Sequence, residues 1–212
     1  MTGTSTRPAV AADADALATV ASATFRFACP PDMTEAAIAA FVAEHLTPER
    51  FADYLADPDR ALLIAEGAGE PLGYTVPVGY AMLVFGEPYA EDVRAVVPQR
   101  PAAELSKIYV VPEAAGSGLA GDLMDASVAI ARARGAAVLW LGTNQQNQRA
   151  QRFYAKSGFA HVGTRRFWVG DHWEDDAVFA LELRPGAPGD AGLGQRGSLR
   201  GEDEVGEVDL EA

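Results

Sequence analysis

The chain has 212 residues, 49% hydrophobic and 22% charged, a balance that supports a buried core and excludes collagen-like, fibrous and wholly disordered classes. Its 30 acidic residues against 17 lysines and arginines give a formal charge of −13, which argues against nucleic acid or an anionic membrane as partner, because phosphates require a basic footprint. A lone cysteine excludes an internal disulfide, the first residues lack the apolar run of a signal peptide, and no stretch approaches the ~20 apolar residues that span a bilayer, so a cytoplasmic protein is expected.

In chain order, Arg7 to Val10 reads as a short strand. A helix follows that Asp13 or Asp15 can cap, with Leu17, Val20, Ala21, Thr24 and Phe25 at helical spacing. Cys29 stands before Pro30-Pro31 with no basic group placed to lower its pKa, so it reads as an inert thiol. A helical region from Met33 to Leu55 breaks at Thr47-Pro48, and Ile38, Phe41, Val42 and His45 give its first half one apolar face. Leu62 to Glu66 then reads as a strand, Gly67-Ala68-Gly69 as a turn, and Tyr74 to Phe85 as a second strand, antiparallel to the first.

After Glu104 the order changes to strand Leu105 to Val111, a glycine-bearing turn, a helix to Arg134, strand Ala137 to Leu141, and a helix from Asn147 to Ser157. Strands Phe159 to Val169 and Asp176 to Leu183 complete it. Leu119, Leu123, Met124, Ser127 and Ile130 share one face of the first of these helices. Strand, helix, strand implies a right-handed crossover and locally parallel strands, so the class is α/β, or α+β by some conventions. From Pro185 the composition shifts to seven glycines and no aromatic residue, ending in an acidic run, and a disordered tail over 185–212 is expected behind one domain over 1–184. That tail has seven acids and two arginines, so the remaining residues carry −8.

The chemistry concentrates in Leu105 to Met124, where a strand enters a glycine-rich turn that opens a helix. Such an end leaves several amides unpaired at the positive pole of the helix, and Gly116 and Gly118 leave room for a phosphate to approach them, although taken alone these glycines equally suit a tight strand-to-helix turn without a ligand. Gly116, Gly118 and Gly121 also satisfy the dinucleotide-binding spacing, but Pro112 to Ala115 lengthen a turn that should be tight. The acid needed about 20 residues on is missing too, because no Asp or Glu lies between Asp125 and Asp171. A second constellation runs Asn147-Gln148-Arg149-Ala150-Gln151-Arg152-Phe153-Tyr154-Ala155-Lys156-Ser157-Gly158-Phe159, with Asn147 a helix N-cap and Gly158 a helix stop.

Together, V-x-P-E-x-x-G-x-G-x-A from Val110 and N-x-x-A-x-x-F-Y-x-K-x-G-F from Asn147 resemble the GNAT superfamily of acyl-CoA-dependent N-acetyltransferases, over about Arg7 to Leu183. The resemblance implies a mixed, mostly antiparallel sheet of about seven strands with helices on both faces. It implies acetyl-CoA as co-substrate, with Ile108, Tyr109 and Val110 along its pantetheine arm. Gly116, Ser117, Gly118, Leu119, Ala120 and Gly121 would hold its pyrophosphate, Asn147 would touch the arm, and Tyr154 would face the sulfur. Two departures stand out: Ala115 replaces the usual Arg or Gln before the first glycine, and Gly142 stands where some members carry a glutamate. Thr24-Phe25, Thr47-Pro48-Glu49-Arg50, the strand from Glu104, Leu141-Gly142-Thr143 and Gly170-Asp171 resemble the polyamine acetyltransferase branch more closely.

The implied reaction moves an acetyl group to a primary amine, a polyamine in the closer resemblance, by direct attack. Tyr154 is the candidate acid for the departing thiolate. Glu104 is the candidate base or amine anchor, because strand alternation puts it on the face of Ser106, Ile108 and Val110, and the alternative is a solvated carboxylate at a strand end. His45 competes for that role but sits on an apolar helix face, and His161 and His172 lack metal-ligand spacing, so no metal is expected. The partner expected is a small-molecule amine, a homodimer stays open, and the alternative is a non-catalytic acyl-CoA-binding or protein-interaction domain on the same fold. Deleting residues 185–212 is expected to leave acetyl-CoA affinity unchanged, since the tail lacks both apolar content and a glycine cradle. Calorimetric titration of the truncated chain checks this, and a large loss of affinity with an unchanged circular dichroism spectrum would refute it.

Overall fold

A computed structural model of the chain describes residues 4–27, 29, 33–69, 74–169 and 172–183. The expected tail over 185–212 and the Gly170-Asp171 pair lie outside them. The elements are β1 (Ser5–Pro8), α1 (Ala14–Phe25), α2 (Glu35–His45), α3 (Pro48–Ala56), β2 (Arg60–Gly69), β3 (Tyr74–Phe85), α4 (Glu91–Val96), β4 (Ala102–Val110), α5 (Leu119–Ala133), β5 (Val138–Asn144), α6 (Gln148–Lys156), β6 (Ala160–Val169) and β7 (His172–Glu182). The strands form one seven-stranded sheet in the order β1-β2-β3-β4-β5-β7-β6, antiparallel throughout except for the parallel β4–β5 pair. This is the mixed, mostly antiparallel sheet expected. No described helix is long and apolar enough to cross a membrane.

Alternation along the strands divides the core into two faces. Leu63, Ala65, Ala81, Leu83, Leu139, Leu141, Ala177 and Phe179 point to one side, where Leu119, Leu123, Met124 and Val128 of α5 and Ala150 and Tyr154 of α6 cover them. The predicted face of α5 is thus the buried one, and a fully enclosed side chain such as Leu123 contributes about 1.5–3 kcal/mol. Leu62, Ile64, Tyr80 and Met82 point the other way, onto Leu17, Val20, Ala21 and Phe25 of α1 and Phe51 of α3. Beside them α4, which has no counterpart in the sequence reading, packs Val93 and the following Val97 against Ala102, Val138, Trp140 and Val178.

Helix α2 is an outer layer: it has no buried residue and docks by stacking Phe41 on Phe25, 4.4 Å between ring centroids. His45 tilts against Phe41 at 4.5 Å, the packing role its apolar face suggested. The Thr47-Pro48 break is a true helix start, where the Thr47 hydroxyl accepts from the Arg50 amide with Pro48 in the first turn. Cys29 donates its thiol to the Phe25 carbonyl at 3.2 Å, and burial pushes that thiol up to about 11, as suits an inert group. One expectation fails: Gly67-Ala68-Gly69 is not a turn but the end of β2, paired with Val76, Thr75 and Tyr74. The ladder continues because backbone hydrogen bonds to β3 need no side chain, whereas the turn reading rested on glycine composition alone.

The N-terminal edge is fastened by one ionic knot. Arg7 on β1 donates to both carboxylate oxygens of Asp13 at 2.7 and 2.8 Å and to Glu66 of β2 at 2.9 Å, while the same Asp13 carboxylate accepts from the Val10 amide at 2.8 Å. Hydrogen bonding from Arg7 holds the Asp13 carboxyl below the usual carboxylate range. A depressed folded-state pKa contributes stability above the unfolded value, about 3.9, and that contribution is lost as pH falls through the folded value. Asp13→Asn is therefore expected to cost about 1–2 kcal/mol at neutral pH, a cost that shrinks below about pH 4. Urea denaturation of both proteins at the two pH values checks this, and an equal difference at both would disprove the linkage.

Candidate active site

The sheet is split where β4 meets β5. Their parallel pairing covers only Ala102–Glu104 against Val138–Trp140, although β4 runs to Val110 and β5 to Asn144. Past the Glu104–Trp140 pair the strands part, so one edge of Leu105 to Val110 faces an opening in place of a strand. The other edge stays bound to β3, with Tyr109 opposite Tyr80 and Val110 opposite Gly79. A β-carbon on Gly79 would lie 2.6 Å from the Tyr109 carbonyl oxygen, so glycine is what lets β3 and β4 come this close.

The glycine turn stands at the wide end of the opening, directly after β4. A short 3₁₀ turn over Pro112–Ala114 leads into Gly116 and Gly118, whose φ values of 77° and 90° are left-handed and strain any other residue. Amides of Ala115 and Ser117 are engaged inside the turn, donating to Pro112 and Ala114, and the first helical bond of α5 runs from Asp122 to the Gly118 carbonyl. Gly118 caps α5 without a side chain, leaving Leu119 to Gly121 ahead of that bond, with only a long 3.4 Å contact from the Leu119 amide to the Ser117 hydroxyl. Leu119 and Ala120 turn their side chains into the core, so they offer backbone alone, and space is open above Gly116, Gly118 and Gly121. The geometry suits an oxyanion-rich group at the positive end of a helix.

Ile108 and Val110 face α5 and the first core, and Tyr109 faces α1. Tyr154 is 2% exposed and packs its ring near Phe153, Phe159 and Phe179, sharing that core with Ile108 and Leu141. Asn147 caps α6, its side-chain oxygen accepting from the Ala150 amide at 3.0 Å. On the opposite face of β4, Ala21, Thr24, Phe25, Leu46, Tyr80, Lys107 and Tyr109 line an indentation. Strand β4 can thus be approached from two sides, at its open edge and from the α1 face.

Glu104 requires a correction. The pairing of β3 with β4 passes from Leu83–Leu105 to Met82–Lys107, leaving Ser106 as an extra residue. This bulge reverses the alternation, so Glu104 lies on the face of Lys107 and Tyr109 and not on that of Ile108 and Val110. A bulge has no signature in side-chain hydropathy, which is why simple alternation went wrong. Glu104 is buried at the closed end of the opening, and its neighbour is a residue that the sequence reading passed over. Arg165 on β6, 3% exposed, donates through Nε to Asp176 of β7 at 2.9 Å and through another nitrogen to the Tyr89 hydroxyl at 2.9 Å. Its guanidinium also comes within 3.9 Å of the Glu104 carboxylate. Arg165 and Asp176 are cross-strand partners, and Asp176 shares a strand face with Val178, so a charge at an apolar alternation position was the available signal.

Gly142 completes the arrangement. A β-carbon there would sit 2.7 Å from the Arg165 guanidinium carbon, so the missing side chain is the space that Arg165 fills.

Residues 30–159 match the family model described as acetyltransferase (GNAT) family. An uncharacterized N-acetyltransferase of Mycobacterium tuberculosis and one of Mycobacterium bovis are each 48% identical to the chain over 171 residues, covering 81% of it and 98% of the relative. The chain belongs to the GNAT family. Its sheet agrees with solved GNAT-type folds, among them the PaiA N-acetyltransferase of Thermoplasma acidophilum in complex with coenzyme A, at a TM-score of 0.62 and 18% identity over 85% of this chain and 99% of that one. An N-acetyltransferase of Staphylococcus aureus gives 0.59 and 20% over 86% and 99%. This GNAT protein is an N-acetyltransferase, and the family uses acetyl-CoA.

Gly121 offers a clean test of the cradle. It is helical, and a β-carbon there meets nothing, so Gly121→Ala should hold or raise stability by about 0.5–1 kcal/mol, as alanine does in a helix. A pyrophosphate drawn up to the amides would meet that methyl group, so acetyl-CoA affinity should fall at least tenfold. Thermal melting and calorimetric titration are the measurements, and a stabilised variant with parental affinity would remove Gly121 from the cradle.

Proposed function

We propose that this N-acetyltransferase passes the acetyl group of acetyl-CoA to a primary amine by direct attack within a ternary complex, and that di- and polyamines are its preferred acceptors. The observation that carries the reading is the opening between β4 and β5, with the glycine turn at its wide end and Glu104 at its closed end. Acetyl-CoA supplies the thioester. The amides from Gly118 to Gly121 hold its phosphates, the edge of Ile108 to Val110 turned away from β3 pairs its amide-bearing arm as an added strand would, and Asn147 stands at the start of α6 to contact that arm.

An alkylamine with a pKa near 10.4 is only roughly one part in a thousand neutral near pH 7.4, so the site has to take a proton before attack. Glu104 is the group placed to anchor the ammonium and receive that proton. Tyr154, on α6 across the first core, returns a proton to the thiolate as the carbon–sulfur bond breaks. Holding both reactants in one cleft supplies much of the remaining barrier reduction, about 7 kcal/mol for good geometry.

Two features support a cationic acceptor: a charge of −8 outside the tail, and the two buried acids Glu104 and Asp176 beside Arg165 near the closed end. The closer motif resemblance points to polyamines within that class. Lys107 on the wall of the α1-side indentation favours a second reading, an acceptor with a carboxylate beside its amine, such as an amino acid.

Thiol release from acetyl-CoA with spermidine, a diamine, an amino acid, an aminoglycoside and an N-terminal peptide decides between these readings. Polyamines should give the highest kcat/KM, and Tyr154→Phe should lower kcat by about two to four orders of magnitude with little change in cofactor affinity. An amino acid outperforming spermidine would move the assignment to the second reading. Thiol release with none of the amines would overturn both.

A further inference from the structure

We infer that Arg165 is the positioning residue for the Glu104 carboxylate, holding it charged and oriented at the closed end of the β4–β5 opening; this rests on the role proposed for Glu104. An arginine 3% exposed has to be paired, and Asp176, 4% exposed, already satisfies it through Nε at 2.9 Å and a second nitrogen at 2.8 Å. A salt bridge to Asp176 alone would account for Arg165 as a structural residue. What exceeds that need is the third nitrogen, which donates to the Tyr89 hydroxyl at 2.9 Å and lies 3.9 Å from the Glu104 carboxylate. One guanidinium therefore stands between two buried acids, and the second of them is at the closed end of the opening.

The surroundings of Glu104 make that neighbour matter. Its cross-strand partners are Val84 on β3 and Trp140 on β5, neither of them charged. Ionisable groups near it include Arg165 of β6, with Asp176 of β7 and the Tyr89 hydroxyl before α4 bound to that guanidinium, and Lys107 further along its own strand. From α4 itself, Asp92 accepts from the Arg166 amide, one residue further along β6. Burial and the nearby Asp176 charge both favour the neutral form of such a carboxylate, and a cation about 4 Å away opposes them. A neutral Glu104 could neither anchor an ammonium nor take its proton. Gly142 belongs to the same device, since any side chain there would push the guanidinium aside.

The test separates position from activity. In protein labelled with carboxyl-¹³C glutamate, the Glu104 signal is assigned by its loss in Glu104→Gln and followed through a pH titration. Arg165→Met should move its midpoint upward by roughly one to three pH units, and Arg165→Lys should restore part of that shift. Gly142→Ala should move it the same way while leaving every charge in place, and it keeps the test alive if Arg165→Met does not fold. An unmoved midpoint in the folded variants overturns the inference. The kinetic arm is a double-mutant cycle: the Gly142→Ala or Arg165→Met loss in kcat/KM should be at least tenfold with Glu104 present and vanish in the Glu104→Gln background. Equal losses in both backgrounds would make Arg165 purely structural. A parent with no acetyl transfer would sink the proposed function, and the titration would still decide what Arg165 does to Glu104.

Discussion

Everything at this site depends on a ladder that stops early. Strands β4 and β5 pair over three residue pairs and then separate, so beyond Glu104 the two strands no longer hold one another. A sheet interrupted at its centre would be weak if its halves met only there. They do not: the core under α5 and α6 takes Leu63, Leu83 and Leu105 from one half and Leu139, Leu141 and Phe179 from the other. Side-chain packing across the gap substitutes for the missing ladder, and β5 is fixed from behind by seven residue pairs with β7.

The same division of labour explains why two glycines and a bulge carry so much of the geometry. Gly116 and Gly118 turn the chain from the sheet into α5 in the space of a few residues, and only left-handed backbone makes that turn. Ser106 displaces the alternation of β4 by one position, which sends Ile108 toward α5 while Glu104 stays with the opposite face. Without the extra residue, the strand would present the acid and the apolar wall on one side.

What was legible in the sequence is what local chemistry determines. The glycine turn, the Asn147 cap, the Gly158 stop with its φ of 92°, the Thr47-Pro48 helix start and the apolar face of α5 each follow from rules acting over a few residues, and each stands where expected. The failures are all non-local. The Ser106 bulge exists only relative to β3, and β2 runs on through Gly67 to Gly69 because β3 is there to pair with it. Helix α4 is six residues long, too short for a periodic signal, and is held by valines that meet Trp140. The ion pair of Arg165 and Asp176 joins residues that polarity alone would assign to the surface, and their burial depends on the strands between which they lie.

Strand β4 has one further property. Sheets ordinarily end in edges at their periphery, where an unpaired strand can recruit any passing chain. Here an edge is set in the middle of the sheet, with β5 on its far side, so it lacks the open flank that a rim offers to a second protein strand. The kind of molecule that such an interruption suits is a slender one with its own amides. The split thus sets a preference for thickness before any side chain is consulted.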